Sequence, residues 1–374
     1  MNIIDAVPKI CKFFPGITSA LLQVGMVIVS FYHAFINSVV INTAFEDAKG
    51  VEKFANMLLM PTQYLCEGKA IHYDGVTFEI KQRFQYQTHK RLYSPVALTF
   101  FTPGIILGAT LKGLALFNPE TKAKHIALKA HLNSTKVVSN QKLYQKWGIN
   151  TQDWQEGELC VPQGHLRHPG DENHLAPDKE ALAEIVALLT EANIPFWVDC
   201  GTCIGAYRHG GVIPWDNDLD LSILVNDFQN AKNALKKLNP HKFLAQDWSS
   251  RGLPKTYIRV YVKENRNHID IYCNDIDPKA HTITYIVSHL DSHFMAEDWK
   301  ERERQQMAPI PFDVIFPLKK GMFDGIEVPV PNQTARFLQY KYGPNIDPAR
   351  IYNPKTGKYE KDLSHPYWQV PLAH

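Results

Sequence analysis

The sequence predicts an α/β (α+β) domain with a mixed sheet, preceded by a hydrophobic, helical amino-terminal region. Three observations predict it. From Asp178 onward, stretches of helical and strand period follow one another in the order helix, strand, turn, helix, strand, helix, strands. Within that series, Phe196 to Leu224 (FWVDCGTCIGAYRHGGVIPWDNDLDLSIL) sets two apolar runs around glycine turns. By contrast, Phe13 to Phe45 contains no Asp, Glu, Lys or Arg. A chain of 374 residues accommodates two domains. The polar, turn-rich stretch after Asn118 places the division at residues 1–130 and 131–374.

Taken in order, the run from Phe13 to Phe45 exceeds the ~20 residues that a helix needs to span a bilayer. A second uncharged run, Leu92 to Leu111, holds Pro103–Gly104 mid-run, which predicts a kink or the bend of a re-entrant hairpin. Both predict membrane association, with two buried helices as the alternative. Between them, Ala70–Ile80 alternates β-formers around Asp74–Gly75, a signal for a two-residue type I′ hairpin. Residues 1–130 carry no recognisable chemistry.

Pro177 suits the first turn of a helix, and Asp178–Asn193 places Leu182, Ile185, Val186 and Leu189 on one apolar face. Pro195 ends that helix and hands the chain to a strand at Phe196. A second amphipathic helix is predicted over Asp227–Leu238, capped by Asn226. Three strand-like runs follow at Thr256–Val262, His268–Cys273 and Thr282–Val287.

Composition narrows the function classes. A net charge of +2, with no basic stripe interleaved with aromatics, gives no reason to expect nucleic acid as a partner. Six cysteines are too few for a disulfide scaffold. Cys160, His165, His168 and His174 supply zinc-ligand types at a spacing that matches no established pattern; loop histidines left in solvent are the plainer account. C-G-T-C at Cys200–Cys203 has the form of a redox pair opening a helix, but that leaves the neighbouring aspartates without a role.

Those aspartates carry the chemistry. Asp216, Asp218 and Asp220 alternate along a strand and its lead-in, so the three carboxylates share one face. Like charges so close repel, and a divalent cation is the usual remedy. D-x-D at Asp218 and Asp220 suits Mg²⁺ or Mn²⁺ bridging substrate phosphates, whereas an unpaired Asp among Leu219, Leu221 and Ile223 is costly. Asp270, between Ile269 and Ile271, completes the metal shell or serves as base if its strand lies beside this one. Gly201–Thr202 opens a helix after a strand, where backbone N–H groups favour an anion, and Arg208 has the fork that binds phosphate.

The ordered set Trp197, Gly201–Thr202, Gly205, Arg208–His209, Gly211, Ile213–Pro214–Trp215, Asp216, Asp218 and Asp220 resembles the LicD family. That family includes fukutin and fukutin-related protein and belongs to the polymerase-β-like nucleotidyltransferase superfamily. Ile269–Asp270–Ile271, the run from Phe316 to Pro331, Arg336–Phe337–Leu338 and Tyr342–Gly343–Pro344 continue the resemblance in order. Cys200, Cys203 and Asn217 depart from the family pattern without removing a ligand.

The resemblance covers about Asp178 to Pro344 and implies a nucleotidyltransferase-type domain. It implies transfer of a phosphate-linked group, of phosphocholine or phospho-alditol type, from a CDP-activated donor to a sugar hydroxyl of a glycan or glycolipid. On that basis Asp218 and Asp220 hold the metal, and Asp270 completes the shell or acts as base. Gly201, Thr202 and Arg208 cradle the donor phosphates, and Lys319 and Lys320 add charge for the diphosphate. The alternatives are nucleotidyl transfer onto a small molecule or protein, and a membrane scaffold built on residues 1–117. Trp248, Tyr257 and Tyr352 are candidates for the acceptor pocket or for the core. A cytidine donor and the thiol-bearing turn point to the cytoplasmic face of a membrane, with a lumenal or extracytoplasmic placement as the alternative.

Overall fold

A computed structural model describes residues 35, 38–66, 68–84, 93–151, 159–250, 252–290 and 295–370. The chain divides into two units, Met1–Ser134 and Thr135–His374. The uncharged run from Phe13 lies outside the described residues until Phe35.

The first unit joins α1 (Val39–Asn42), β1 (Thr43–Phe45), α2 (Gly50–Leu58), α3 (Met60–Leu65), β2 (Lys69–Tyr73), β3 (Phe78–Gln82), α4 (Tyr93–Thr99), α5 (Phe101–Ala115) and α6 (Pro119–Asn133). β2 pairs parallel with β1 and antiparallel with β3. The β2–β3 turn has four residues rather than the expected two, because Tyr73 faces Phe78. Asp74 causes this, its carboxylate accepting the Val76 and Thr77 N–H groups at 2.8 and 2.6 Å.

The break in the second uncharged run falls at Phe100, where α4 and α5 meet at 61°, and Pro103 sits harmlessly in the first turn of α5. A Cβ on Gly104 would lie 2.6 Å from the Leu58 carbonyl oxygen, and one on Gly108 would lie 2.6 Å from Leu59 Cγ. Glycine at these two positions therefore lets α5 press against the end of α2. Buried Lys112 reaches Asn56 Oδ1 at 2.5 Å and Glu52 at 3.3 Å, and Glu52 also meets His125 at 3.0 Å. Among the described residues, no single helix is long and apolar enough to cross a membrane; α4 and α5 meet the length and composition test only as a bent pair.

The second unit continues with α7 (Gln141–Lys146), α8 (Ala176–Glu191), β4 (Phe196–Val198), α9 (Cys200–His209), β5 (Leu219–Leu224), α10 (Phe228–Leu235), β6 (Phe243–Asp247) and β7 (Tyr257–Val262). Then come β8 (His268–Asp277), β9 (Thr282–Tyr285), α11 (Glu297–Gln305), β10 (Ile310–Pro311), α12 (Phe312–Ile315), β11 (Lys319–Phe323), β12 (Ile326–Val330), α13 (Thr334–Tyr342), β13 (Arg350–Asn353) and β14 (Lys358–Lys361). The predicted mixed α+β class is what forms. β10, β9, β8, β5 and β4 lie in that order, and β7 pairs with β8 and β6. Among the described residues, only β5–β8 is a parallel pair in this sheet; the other pairings are antiparallel.

Alternation along the strands divides the sheet into two faces. Leu219, Leu221, Ile223, Ile258, Val260, Ile269 and Ile271 enter one core with Leu182, Ile185 and Leu189 of α8. The opposite set, which includes Asp220, Asp270 and Arg259, is polar. The expected α10 is shorter than predicted at both ends, because Val225–Asp227 forms a 3₁₀ turn and the helix closes at Leu235. Asp227 is drawn instead into a buried network, accepting from Tyr144, Asn140 and Asn230.

Candidate active site

The site is built at the turn from β4 into α9. Asp199 caps α9, its carboxylate accepting the Cys200 N–H at 2.7 Å and the Ser222 hydroxyl at 2.5 Å. Lys341, from α13, closes a buried ion pair with Asp199 at 2.6 Å. Cys200 takes a left-handed backbone, φ 46°, so the chain bends sharply from strand to helix at this point. Asp324 fixes the far end of the stretch. It accepts the Val212 N–H at 3.0 Å and pairs with Arg167 at 2.5 Å and Lys179 at 3.0 Å. Asp324 and Gly325 both have positive φ, the two-residue type I′ turn that joins β11 to β12.

Four carboxylates gather beside this frame. Asp220 and Asp270 face each other across the parallel β5–β8 pair. Burial, then the Asp218 and Asp270 charges, push the Asp220 carboxyl well above the usual carboxylate range. Burial and Asp218 push Asp216 up to about 7, and Asp216 and Asp218 share a hydrogen bond. Asp220 is 7% exposed, and its Oδ1 has no hydrogen-bond partner. Oxygen-only donors crowded this way fit a hard cation such as Mg²⁺ or Mn²⁺. Among the described residues, no three His, Cys, Asp or Glu side chains are arranged as they stand around one point for a metal. Asp270 in particular is engaged elsewhere, with Arg259 Nε and Nη2 each donating to one of its oxygens at 2.8 Å.

The other predicted residues fall into two groups. Gly201 and Thr202 join the carboxylates. A Cβ on Gly201 would lie 2.1 Å from Asp216 Oδ2, so the missing side chain makes room for that carboxylate. Thr202 is buried, and its hydroxyl oxygen accepts the Asp220 N–H at 2.8 Å. Arg208 stands apart, buried on α9 eight residues beyond Cys200, or about 12 Å along a helix. Burial lowers its guanidinium to about 10, against the pull of Asp347. Lys319 and Lys320 lie on the separate β11–β12 hairpin, where Lys320 faces Glu327 at 3.5 Å.

The two competing readings find no joint site. Burial pushes the Cys200 and Cys203 thiols upward, the opposite of what a redox thiolate needs. Cys160 contacts Thr334, His165 lies 3.9 Å from Asp347, His168 stacks on Tyr352 and His174 bonds the Asp216 carbonyl. Sequence reasoning missed Asp199, Asp324, Lys341 and Arg259. An Asp directly before a helix start is a cap signal, and Asp324–Gly325 is a hairpin signal. Nothing local marks Lys341 or Arg259.

Comparison with known proteins matches the stretch of chain that carries the four carboxylates. The family described as "LicD/FKTN/FKRP, nucleotidyltransferase domain" matches residues 193–333. The mouse (Mus musculus) protein named "Ribitol 5-phosphate transferase FKRP" is 29% identical over 182 residues, 47% of this chain and 32% of its own length. An uncharacterized protein of Rickettsia prowazekii is 28% identical over 169 residues, 45% of this chain and 55% of its own length. The mouse "Ribitol-5-phosphate transferase FKTN" is 41% identical over 51 residues, 14% of this chain and 11% of its own length. The matched stretch thus spans about a third of FKRP. Residues 193–333 are thus similar to the domain shared by LicD, fukutin and fukutin-related protein.

Proposed function

We propose that the second unit is a metal-dependent transferase with a nucleotidyltransferase-type fold. It moves a phosphate-linked group, of phosphocholine or phospho-alditol type, from a CDP-activated donor to a sugar hydroxyl of a glycan or glycolipid. The observation that carries this reading is the buried aspartate group beside a helix start, with an Asp220 oxygen left without a partner. The names of the mammalian relatives support the class of group transferred.

Asp218 and Asp220, with Asp216 against Gly201, would hold Mg²⁺ or Mn²⁺, which when bound supplies positive charge to the donor diphosphate. The chain's own parts do the rest. Asp199 and Lys341 hold the start of α9 in place, and Thr202 keeps Asp220's backbone fixed against it. Lys319 and Lys320 offer charge from the neighbouring hairpin, and Arg208 serves the donor only if the loops around it move. Trp215, next to Asp216, packs on Tyr359 at 5.0 Å, and Tyr359 on Tyr352 at 5.3 Å. Those half-buried rings suit the face of an acceptor sugar. The first unit would bring the enzyme to a membrane, with the transferase on the cytoplasmic face.

The test is Mn²⁺-dependent release of CMP from CDP-ribitol and CDP-choline by the purified chain. Asp218→Asn should reduce turnover at least 100-fold with an unchanged circular dichroism spectrum, as expected for loss of an electrostatic catalytic group. Undiminished turnover would falsify the metal assignment. Nucleotide retained on the acceptor, in place of free CMP, would replace this reading with nucleotidyl transfer.

A further inference from the structure

We infer that Arg259 is the anion-binding arm of this site and that Asp270 is its anchor rather than a ligand of the cation. This rests on the transferase reading above. β8 lies between β5 and β7, and the registers Asp220↔Asp270 and Arg259↔Asp270 set the three residues in one row across the sheet. All three side chains belong to its polar face.

Within that row Arg259 is held from several sides. Its Nε and Nη2 meet the two oxygens of Asp270 in the fork-to-fork geometry that is strongest for this ion pair. Nη2 also donates to the Tyr257 hydroxyl at 2.6 Å, and the guanidinium lies 4.6 Å from the centre of the Trp248 ring. Asp270 therefore has both oxygens committed, whereas Asp220, one strand away, has a buried oxygen committed to nothing. The two aspartates share a register position and differ in what they offer a cation.

Arg259 keeps something in reserve. A guanidinium has five N–H donors. Nε and Nη2 account for three of them, and among the described residues Nη1 has no hydrogen bond. The side chain is 19% exposed. A flat cation with two unspent donors, fixed in orientation at the edge of an acidic group, is a receptor for a phosphate that the carboxylates alone would repel. The donor's diphosphate is the ligand of that chemistry. Asp270 acts through Arg259 and is a positioning residue.

The experiment measures two affinities on the full chain: Mn²⁺ alone, and CDP in saturating Mn²⁺, both by calorimetry. Arg259→Gln and Asp270→Asn should leave Mn²⁺ affinity within about 3-fold of wild type and weaken CDP roughly 10- to 100-fold, the range for a lost charged hydrogen bond. Arg259→Lys, which keeps the charge and loses the fork, should fall between. Loss of Mn²⁺ binding in Asp270→Asn, or unaltered CDP affinity in Arg259→Gln, overturns the inference. The transferase reading fails separately, if Asp218→Asn retains Mn²⁺ binding. Melting curves on each variant identify any that has simply unfolded, and Arg259→Lys then decides the matter by its CDP affinity alone.

Discussion

Asp220 shows how a single residue can be held against its own preference. Its peptide N–H is satisfied by Thr202, but its carboxylate is buried among like charges. Asp216 shares the condition, at about 7. Unfolded aspartates titrate near 3.9. Between that value and the raised folded values, the folded state binds more protons than the unfolded one. Stability therefore falls as pH rises from about 4 through 7, and stays lower above. The cation-free protein should melt at a higher temperature at pH 5.5 than at pH 7.5. Asp220→Asn should flatten this dependence and raise the pH 7.5 midpoint by a few degrees, at roughly 2–4 °C per kcal/mol for a domain of this size. A lower midpoint for Asp220→Asn in differential scanning calorimetry would show that the charge is no burden.

At the scale of elements, glycines let α9 sit where it does, for two different reasons. Gly201 gives way to the end of a side chain, the Asp216 carboxylate. Gly205 gives way to backbone, since a Cβ there would lie 2.4 Å from the Gly211 carbonyl oxygen. Gly205→Ala should therefore cost about 1–3 kcal/mol in urea unfolding, as overpacking does. Gly201→Ala should cost under 1 kcal/mol and yet weaken Mn²⁺ binding, because Asp216 is displaced. Equal unfolding midpoints for the two variants would contradict this assignment. Much of this element was legible beforehand: strand, glycine turn, helix and acidic strand all follow from period and turn residues. Arg259 was legible only as one side of an alternating strand, since its partner Asp270 is set by sheet register.

For the whole molecule, the first unit poses the question of where the chain resides. α5 buries Ile105, Gly108, Lys112 and Ala115 on one face and exposes Ile106, Leu107 and Leu114 on the other. α2 likewise exposes Val51, Phe54 and Met57. A helix apolar all round belongs in a core or in lipid. The full chain should co-float with phosphatidylcholine vesicles. Leu107→Ser combined with Phe54→Ser should release much of it while altering stability by only about 0.5 kcal/mol per site, as exposed positions do. Retained flotation would remove these side chains from the membrane contact.

What the sequence alone determined is what depends on near neighbours: the α+β class, the helix ahead of β4, the glycine turns, the alternating aspartates and the family that residues 193–333 resemble. These are set by period and local backbone chemistry within a few residues. The tertiary structure decided which charges meet. It brought Lys341 to Asp199 across 142 residues and Asp324 to the Gly211 turn across 112, and it paired Asp270 with Arg259 across the sheet. Buried charges must find partners, and where the chain brings those partners from is a property of sheet register and packing that no local pattern encodes.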